Sequence, residues 1–307
     1  MKTRAEGRRV SDLGEDALIE KLVAKLVASK RNQDVVAGPG DDCAVMKSAR
    51  SGFYELLKTD CVVEGVHFLQ GTRAEQVGRK AICRAVSDIA AMGGVPRFAT
   101  VTIALGTEHS VAEVEAWYAG MAGAAQQFNV EIVGGETSSL PEKRGAVISV
   151  SMTGEVEKEN CVFRSGARMG DAIAVTGRLG NAFASERHLH FTPRLKESRW
   201  MVSESKNCRP SSMMDLSDGL SKDLPRLLRV DGWGYQIDPE RIPLNEDADL
   251  DGAIKDGEDY ELLMTFPSLD EAEWKVAFPE TPLTVIGEVV RETSEPLDPG
   301  GYEHFRR

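Results

Sequence analysis

Gly38-Pro39-Gly40-Asp41-Asp42-Cys43-Ala44-Val45 sets two adjacent carboxylates between a Gly-Pro-Gly turn and a short apolar run. Neighbouring side chains on an extended segment point to opposite faces, so Asp41 and Asp42 cannot both meet the same partner. Two anions held side by side repel unless positive charge lies close, and a divalent cation supplies it compactly. Taken alone, the stretch reads equally well as a solvated turn. The rest of the chain decides between the two.

Outward from this turn the pattern alternates between helical and strand periods. Before it, Leu18, Ile19, Leu22, Val23, Leu26 and Val27 fall at helical spacing and predict a helix over Asp12–Lys30. After it, Phe53–Lys58 reads as a strand ended by Thr59-Asp60. Ala74–Met92 reads as a helix rich in small residues, stopped by Gly93-Gly94 and Pro96. Asp88 lies inside that helix beside Ile89-Ala90-Ala91-Met92, where a carboxylate is costly to bury without a partner. A strand (98–105), a helix (111–128) and a strand (130–133) follow, with Gly134-Gly135-Glu136-Thr137-Ser138-Ser139 expected to close the last in a turn. Ala146–Val156 alternates as a long strand. The polar run 157–160 marks a domain boundary, giving domains at 1–157 and 158–307.

The second half repeats the alternation. A strand at 172–176 is expected to lead through Gly177-Arg178-Leu179-Gly180 into a helix, and 193–207 reads as a surface helix. Met213-Met214-Asp215-Leu216-Ser217-Asp218-Gly219-Leu220 is a strand-to-helix junction at which Ser217 or Asp218 would cap the helix running to Arg229. Short strands are expected at 233–237, after Gly257-Glu258-Asp259-Tyr260, and at 283–289. Strands alternating with helices in both halves predict an α/β or α+β protein of two domains.

Composition narrows the function. The 307 residues carry a formal charge of −12, which argues against a general nucleic-acid binder or an anionic-membrane surface protein. Met1–Val10 is polar and basic without an apolar core, so no signal peptide is expected, and no apolar run is long enough to span a membrane. The five cysteines are scattered with no CxxC pair, which disfavours zinc and fits reduced cytoplasmic thiols. The charge of the neighbouring carboxylates would raise the pKa of Cys43 and make it a poor nucleophile.

Acids recur at expected element ends beside Gly, Ser or Thr: Asp41, Asp42, Asp60, Asp88, Glu136, Asp215 and Asp218. Any one of them is as readily a cap or turn residue. Together, oxygen ligands without His or Cys suit Mg²⁺, which shares its coordination with water and substrate phosphate. The chain has no GxxxxGK[ST] loop and no protein-kinase motifs. Arg164 offers a planar fork for a phosphate.

In order along the chain, GPGDDCAV, TDCVVEGVHF, SDIAAMGGVP, GGETS, RSGARMGD, TGRLGNA, MDLSDGL, GEDYELL and GYEHF resemble the motifs of the thiamine-monophosphate kinase family. That family belongs to the aminoimidazole ribonucleotide synthetase-like superfamily, and the resemblance runs from about Leu13 to Phe305. It implies a two-domain fold whose N-terminal domain binds metal and ATP and pairs with its twin in a homodimer, forming a β-barrel across the interface. It also implies cytoplasmic, ATP- and Mg²⁺-dependent phosphorylation of thiamine monophosphate to thiamine diphosphate by direct in-line transfer. The alternatives are a related ATP-dependent enzyme of the same superfamily acting on another phosphorylated small molecule, and a catalytically impaired nucleotide-binding homologue.

By the same resemblance, Asp41, Asp42, Thr59, Asp60, Asp88, Glu136, Asp215 and Asp218 fall at metal positions, several ions being implied. Gly135, Glu136, Arg164 and Ser217 fall at ATP positions, and His67, Glu258 and Tyr302 at substrate positions. Asp42, Asp218 and Arg164 would carry the catalytic work. The chain departs from the family where Glu136 replaces an aspartate, where Lys58 replaces a small hydroxyl residue, and where Asp256-Gly257 replaces a glycine pair. The extra methylene of Glu136 strains tight Mg²⁺ geometry. An ammonium at Lys58 could displace one metal or contact phosphate.

Overall fold

The computed structural model describes residues 9–27 and 32–305. Its first half runs α1 (Glu15–Val27), β1 (Val35–Ala37), β2 (Ala44–Lys47), β3 (Phe53–Val63), α2 (Ala74–Ala91), β4 (Val95–Leu105), α3 (Val111–Gln127), β5 (Glu131–Ser139) and β6 (Ala146–Glu157). The second runs β7 (Ala172–Thr176), α4 (Arg187–His190), α5 (Leu195–Ser203), β8 (Ser212–Asp215), α6 (Leu220–Arg229), β9 (Gly234–Ile237), α7 (Leu250–Lys255), β10 (Leu262–Phe266), α8 (Glu271–Ala277) and β11 (Leu283–Val290). The strands form two sheets, ordered β1-β2-β3-β6-β4-β5 and β8-β10-β7-β11-β9. The mixed α/β class expected from the alternation is the class found. The tail 296–307 is expected to be irregular, and its described part, 296–305, is; residues 306–307 and the last helical positions expected for α1, Ala28–Lys30, lie outside the described residues.

Among the strands of the described residues only β4 and β5 pair in parallel, and α3 provides the crossover that such a pair needs. Every second residue of β6 is buried along its whole length, so the sheet has two unlike faces. One packs on α2 and α3. The other leaves Leu57 and Phe98 exposed, both in register with Thr153.

Helix α2 is the joint of the molecule. Thirteen of its eighteen residues are buried, because the first sheet, α3, and α5 and β8 of the second half all cover it. Its approach to α3 is at backbone distance: a Cβ on Gly78 would lie 1.9 Å from Trp117 O, and one on Gly120 1.9 Å from Glu75 O. Glycine is required at both. Ala91, at the end of α2, joins a core cluster otherwise built from the second half.

Several expectations are corrected. Strand β3 does not stop at Thr59-Asp60, because β6 pairs with it along its full length from Phe53↔Glu157 to Val63↔Val147. Gly134-Gly135-Glu136 is not a turn but the middle of β5, where Gly135 lies so close to β4 that a Cβ would come 2.0 Å from Val101 O. Gly177 and Gly180 take φ of +61° and +87°, so that segment is a loop, and the next helix starts only at Arg187. The start of α6 is Gly219, with no side-chain cap. The hydrogen bonds run the other way, from Ser217 N and Asp218 N to the Asp223 carboxylate.

Candidate active site

The bend before β2, the penultimate turn of α2 and the end of β8 bring Asp42, Asp88 and Asp215 together. All three are buried, with carboxylate oxygens within 4.8 Å of one another. Arg164 grips Asp42 with its fork, Nη2 to Oδ1 at 2.8 Å and Nε to Oδ2 at 3.2 Å. Its backbone N–H donates to Asp41 Oδ1 at 2.7 Å. The two neighbouring acids thus meet different groups, as alternation requires. The Ser87 hydroxyl donates to Asp215 at 2.7 Å.

Two of these carboxylates, Asp88 and Asp215, are raised. Burial, only partly offset by Lys58, pushes Asp88 well above the usual carboxylate range. Burial and then Asp42 push Asp215 up to about 6. One cation is built in: Lys58 Nζ lies 2.6 Å from Asp88 Oδ1. Burial opposes the ammonium charge, but Asp88 and then Asp60 outweigh it, so Lys58 stays protonated.

Asp60, on the same face of β3 as Lys58, accepts from Arg84 Nε at 3.2 Å and forms an ion pair with its Nη2 at 3.0 Å. Beyond it opens a cavity of about 510 Å³ lined by His67, Arg84, Ser217, Asp218, Glu258 and Tyr302 among others. Asp218 is held by Arg226 Nη1 at 2.6 Å and Lys222 Nζ at 3.2 Å. Burial would raise its pKa, but those two cations together outweigh burial and keep it below the usual range.

On the opposite wall, His67 Nδ1 accepts from Val63 N–H at 3.0 Å, which puts the imidazole proton on Nε2. Burial, then Arg84 and Lys80, push its pKa down to about 2, so it is a neutral donor. Glu258 stands at φ +70°, a strained backbone for a side chain with a Cβ. It is held there by Tyr260 OH at 2.9 Å on Oε1 and by the ammonium of Lys80 on Oε2. Lys80 is fully buried and also donates to His67 O at 2.6 Å. Burial outweighs the pull of Glu258 and brings Lys80 down to about 8.

The fold therefore assembles Asp41, Asp42, Asp60, Asp88, Asp215, Asp218, Arg164, Ser217, His67, Glu258 and Tyr302 around one acid cluster and its adjoining cavity. It does not bring Thr59, Gly135 or Glu136 there within one chain. Thr59 is exposed on the opposite face of β3 from Lys58 and Asp60, and its hydroxyl accepts from Ser151. Gly135 lies in the row Asp60–Val150–Val101–Gly135, three strands away, roughly 14 Å by ordinary strand spacing. Glu136 pairs with Thr102, on the open face.

Lys80, Arg84 and Tyr260 were not among the residues expected here. The signal for the first two was available: Lys80, Arg84 and Asp88 recur at i, i+4 and i+8 along one face of a helix otherwise built to be buried.

Residues 40–156 match the family model for the N-terminal domain of AIR synthase related proteins. Over 96% of its length the chain is 31% identical to the whole of the thiamine-monophosphate kinase of Bacillus subtilis strain 168. Over 97% it is 33% identical to the whole of that of Aquifex aeolicus strain VF5. The chain belongs to the thiamine-monophosphate kinase family. Among solved structures, that described as AaThiL complexed with AMPPCP and TMP superposes with a TM-score of 0.82 at 32% identity, covering 98% of this chain and all of that one. The thiamine monophosphate kinase structure from Aquifex aeolicus gives 0.76 at 30% identity over 95% of this chain. The thiamine-monophosphate kinase likeness takes in both sheets and the whole acid cluster, whereas the N-terminal domain match ends at Val156.

Proposed function

We propose that the chain transfers the γ-phosphoryl group of ATP to thiamine monophosphate, yielding thiamine diphosphate and ADP. The observation that carries this reading is that the cavity walled by His67, Glu258 and Tyr302 is also lined by Arg84, Ser217 and Asp218, which lie within a few residues along the chain of Asp88 and Asp215 of the buried acid cluster. A relative of the same family and fold is described in complex with AMPPCP and TMP. In the reaction, an oxygen of the acceptor's phosphate bonds to the γ-phosphorus as the bond from that phosphorus to the ADP oxygen breaks. Such transfers need positioning and charge neutralisation more than covalent chemistry. Glu258, aimed by Lys80 and Tyr260, is placed to take the positive and N–H-bearing rings of the acceptor, and neutral His67 offers Nε2–H.

The donor set fits Mg²⁺. Three buried carboxylates without His or Cys partners suit a hard cation, and the upward push on Asp88 and Asp215, from burial first and from neighbouring carboxylates, supports a place for one there. Asp42, Asp88 and Asp215 would hold it, with Asp60 and Asp218 at the border. When bound, Mg²⁺ neutralises charge on the transferring phosphates. Arg164, which grips Asp42 of that cluster, offers the fork for an ATP phosphate.

The division at 157/158 into a metal- and ATP-binding domain and a C-terminal domain is part of the same proposal, supported by the two separate sheets. So is a homodimer through the uncovered face carrying Leu57 and Phe98, on which Thr59 and Glu136 also lie. Five unpaired thiols agree with a cytoplasmic enzyme, and among the described residues no helix is long and apolar enough to cross a membrane. The test is incubation with ATP, Mg²⁺ and thiamine monophosphate, with thiamine diphosphate as readout. Only background conversion at saturating substrate overturns the proposal.

A further inference from the structure

We propose that Arg84 grips the phosphate already present on the acceptor, and thereby sets the preference for a phosphorylated acceptor over its unphosphorylated counterpart. The inference rests on the function proposed above and concerns a residue outside the motif positions.

Arg84 leaves α2 one turn before Asp88 and reaches the boundary between the cavity and the acid cluster. Its guanidinium is half used. Nε and Nη2 are bound to Asp60, while Nη1 is buried and makes no hydrogen bond among the described residues. Glu258 Oε1 lies 3.8 Å from Nη1, beyond hydrogen-bond reach. A buried N–H without an acceptor is costly, and buried polar groups left in this way call for a missing partner.

Position identifies that partner. The acceptor's rings belong beside His67, Glu258 and Tyr302, and its attacking oxygen must face the acids that hold the nucleotide. Its phosphate therefore stands between them, where Arg84 joins Asp60 on one side to Glu258 on the other. Charge points the same way. Asp60, Asp218 and Glu258 would repel a phosphate dianion, and the nearby cations are already committed. Lys58 is paired with Asp88, Lys80 with Glu258, Lys222 and Arg226 with Asp218, and Lys255 with Asp251. His67 contributes a dipole without a charge. Arg84 retains a donor, and its planar fork suits phosphate.

The test is calorimetric binding of thiamine monophosphate and of thiamine, without ATP or metal, to the full chain and to Arg84→Gln and Arg84→Lys. Expected is a loss of about tenfold to a hundredfold in thiamine monophosphate affinity for Arg84→Gln, the usual range for one charged hydrogen bond. Thiamine affinity should stay within about twofold, and Arg84→Lys should restore part of the loss. An unchanged ratio of the two affinities in Arg84→Gln overturns the inference while leaving the proposed function standing. Equal weakening of both ligands also overturns it, since Arg84 would then only position Glu258 or Asp60. If the unaltered chain binds neither ligand, the proposed acceptor fails and the inference with it.

Discussion

The ammonium of Lys58 lies 2.6 Å from the Asp88 carboxylate, inside the group of acids that also includes Asp42 and Asp215. A side chain thus provides positive charge inside the cluster, at a position where the family resemblance implies a small hydroxyl residue.

Replacing that cation should make the site depend more on a divalent ion. Lys58→Ser leaves Asp88 buried and without its ion-pair partner, which is expected to cost about 2–4 kcal/mol in metal-free protein. Mg²⁺ should restore more of the melting temperature in the variant than in the parent chain. Thermal unfolding with and without Mg²⁺ decides it: equal Mg²⁺ shifts in both proteins would mean that Lys58 and the metal do not share a place.

Asp42→Asn and Asp218→Asn test the two ends of the site separately. Each should lower kcat by about a hundredfold or more, the scale for removing one charge-stabilising group from a phosphoryl- or acyl-transfer site, with far-ultraviolet circular dichroism unchanged. Asp42→Asn should also lower the melting temperature, because it strips the bidentate partner from Arg164. Near-normal Mg²⁺-dependent ATP consumption in both variants would remove these acids from the mechanism.

Lys80→Met separates positioning from chemistry. Lys80 aims Glu258 and ties it to the His67 carbonyl, but lies too deep to touch substrate. The methionine fills a similar volume, while Tyr260 keeps its hold on Glu258. Expected is a KM for thiamine monophosphate raised about tenfold, as for loss of one charged hydrogen bond, with kcat and the KM for ATP within about threefold. A fall in kcat with both KM values unchanged would place Lys80 in a different role.

Much of this site was legible in the sequence because its residues sit in short motifs at junctions. Asp42, Asp215 and Asp218 lie next to turn residues that announce where an element stops, and alternation alone separated Asp41 from Asp42. What escaped was set by partners distant along the chain. Thr59-Asp60 continues a strand because β6, some ninety residues on, pairs with it throughout. Glu136 lies in β5 because β4 holds it there, so its turn-like Gly134-Gly135 prefix misled. Pleating then puts Thr59 and Asp60 on opposite faces, and only one of them meets α2. Lys80 and Arg84 escaped for another reason: cations on a helix read as a solvated stripe until both sides of that helix prove to be covered.

The tautomer of His67 yields a prediction with a definite sign. Folded His67 is held neutral, its pKa pushed down to about 2 by burial and by the charges of Arg84 and Lys80, whereas in the unfolded chain it titrates near 6.5. Between those values the unfolded state binds a proton that the folded state refuses. The stability linked to His67 is therefore fully present above pH 6.5 and lost as pH falls below it, by up to about 1.4 kcal/mol per pH unit. The raised carboxylates contribute in the opposite sense, but equally in parent and variant, so the comparison with His67→Asn isolates the imidazole. Urea unfolding at pH 7.5 and pH 5 should show the stability of the parent relative to His67→Asn falling by about 2 kcal/mol at the lower pH. A difference that stays constant over this interval would mean that His67 takes up its proton in the folded protein as readily as in the unfolded one, and Nε2–H could then not be assigned as a neutral donor to the acceptor.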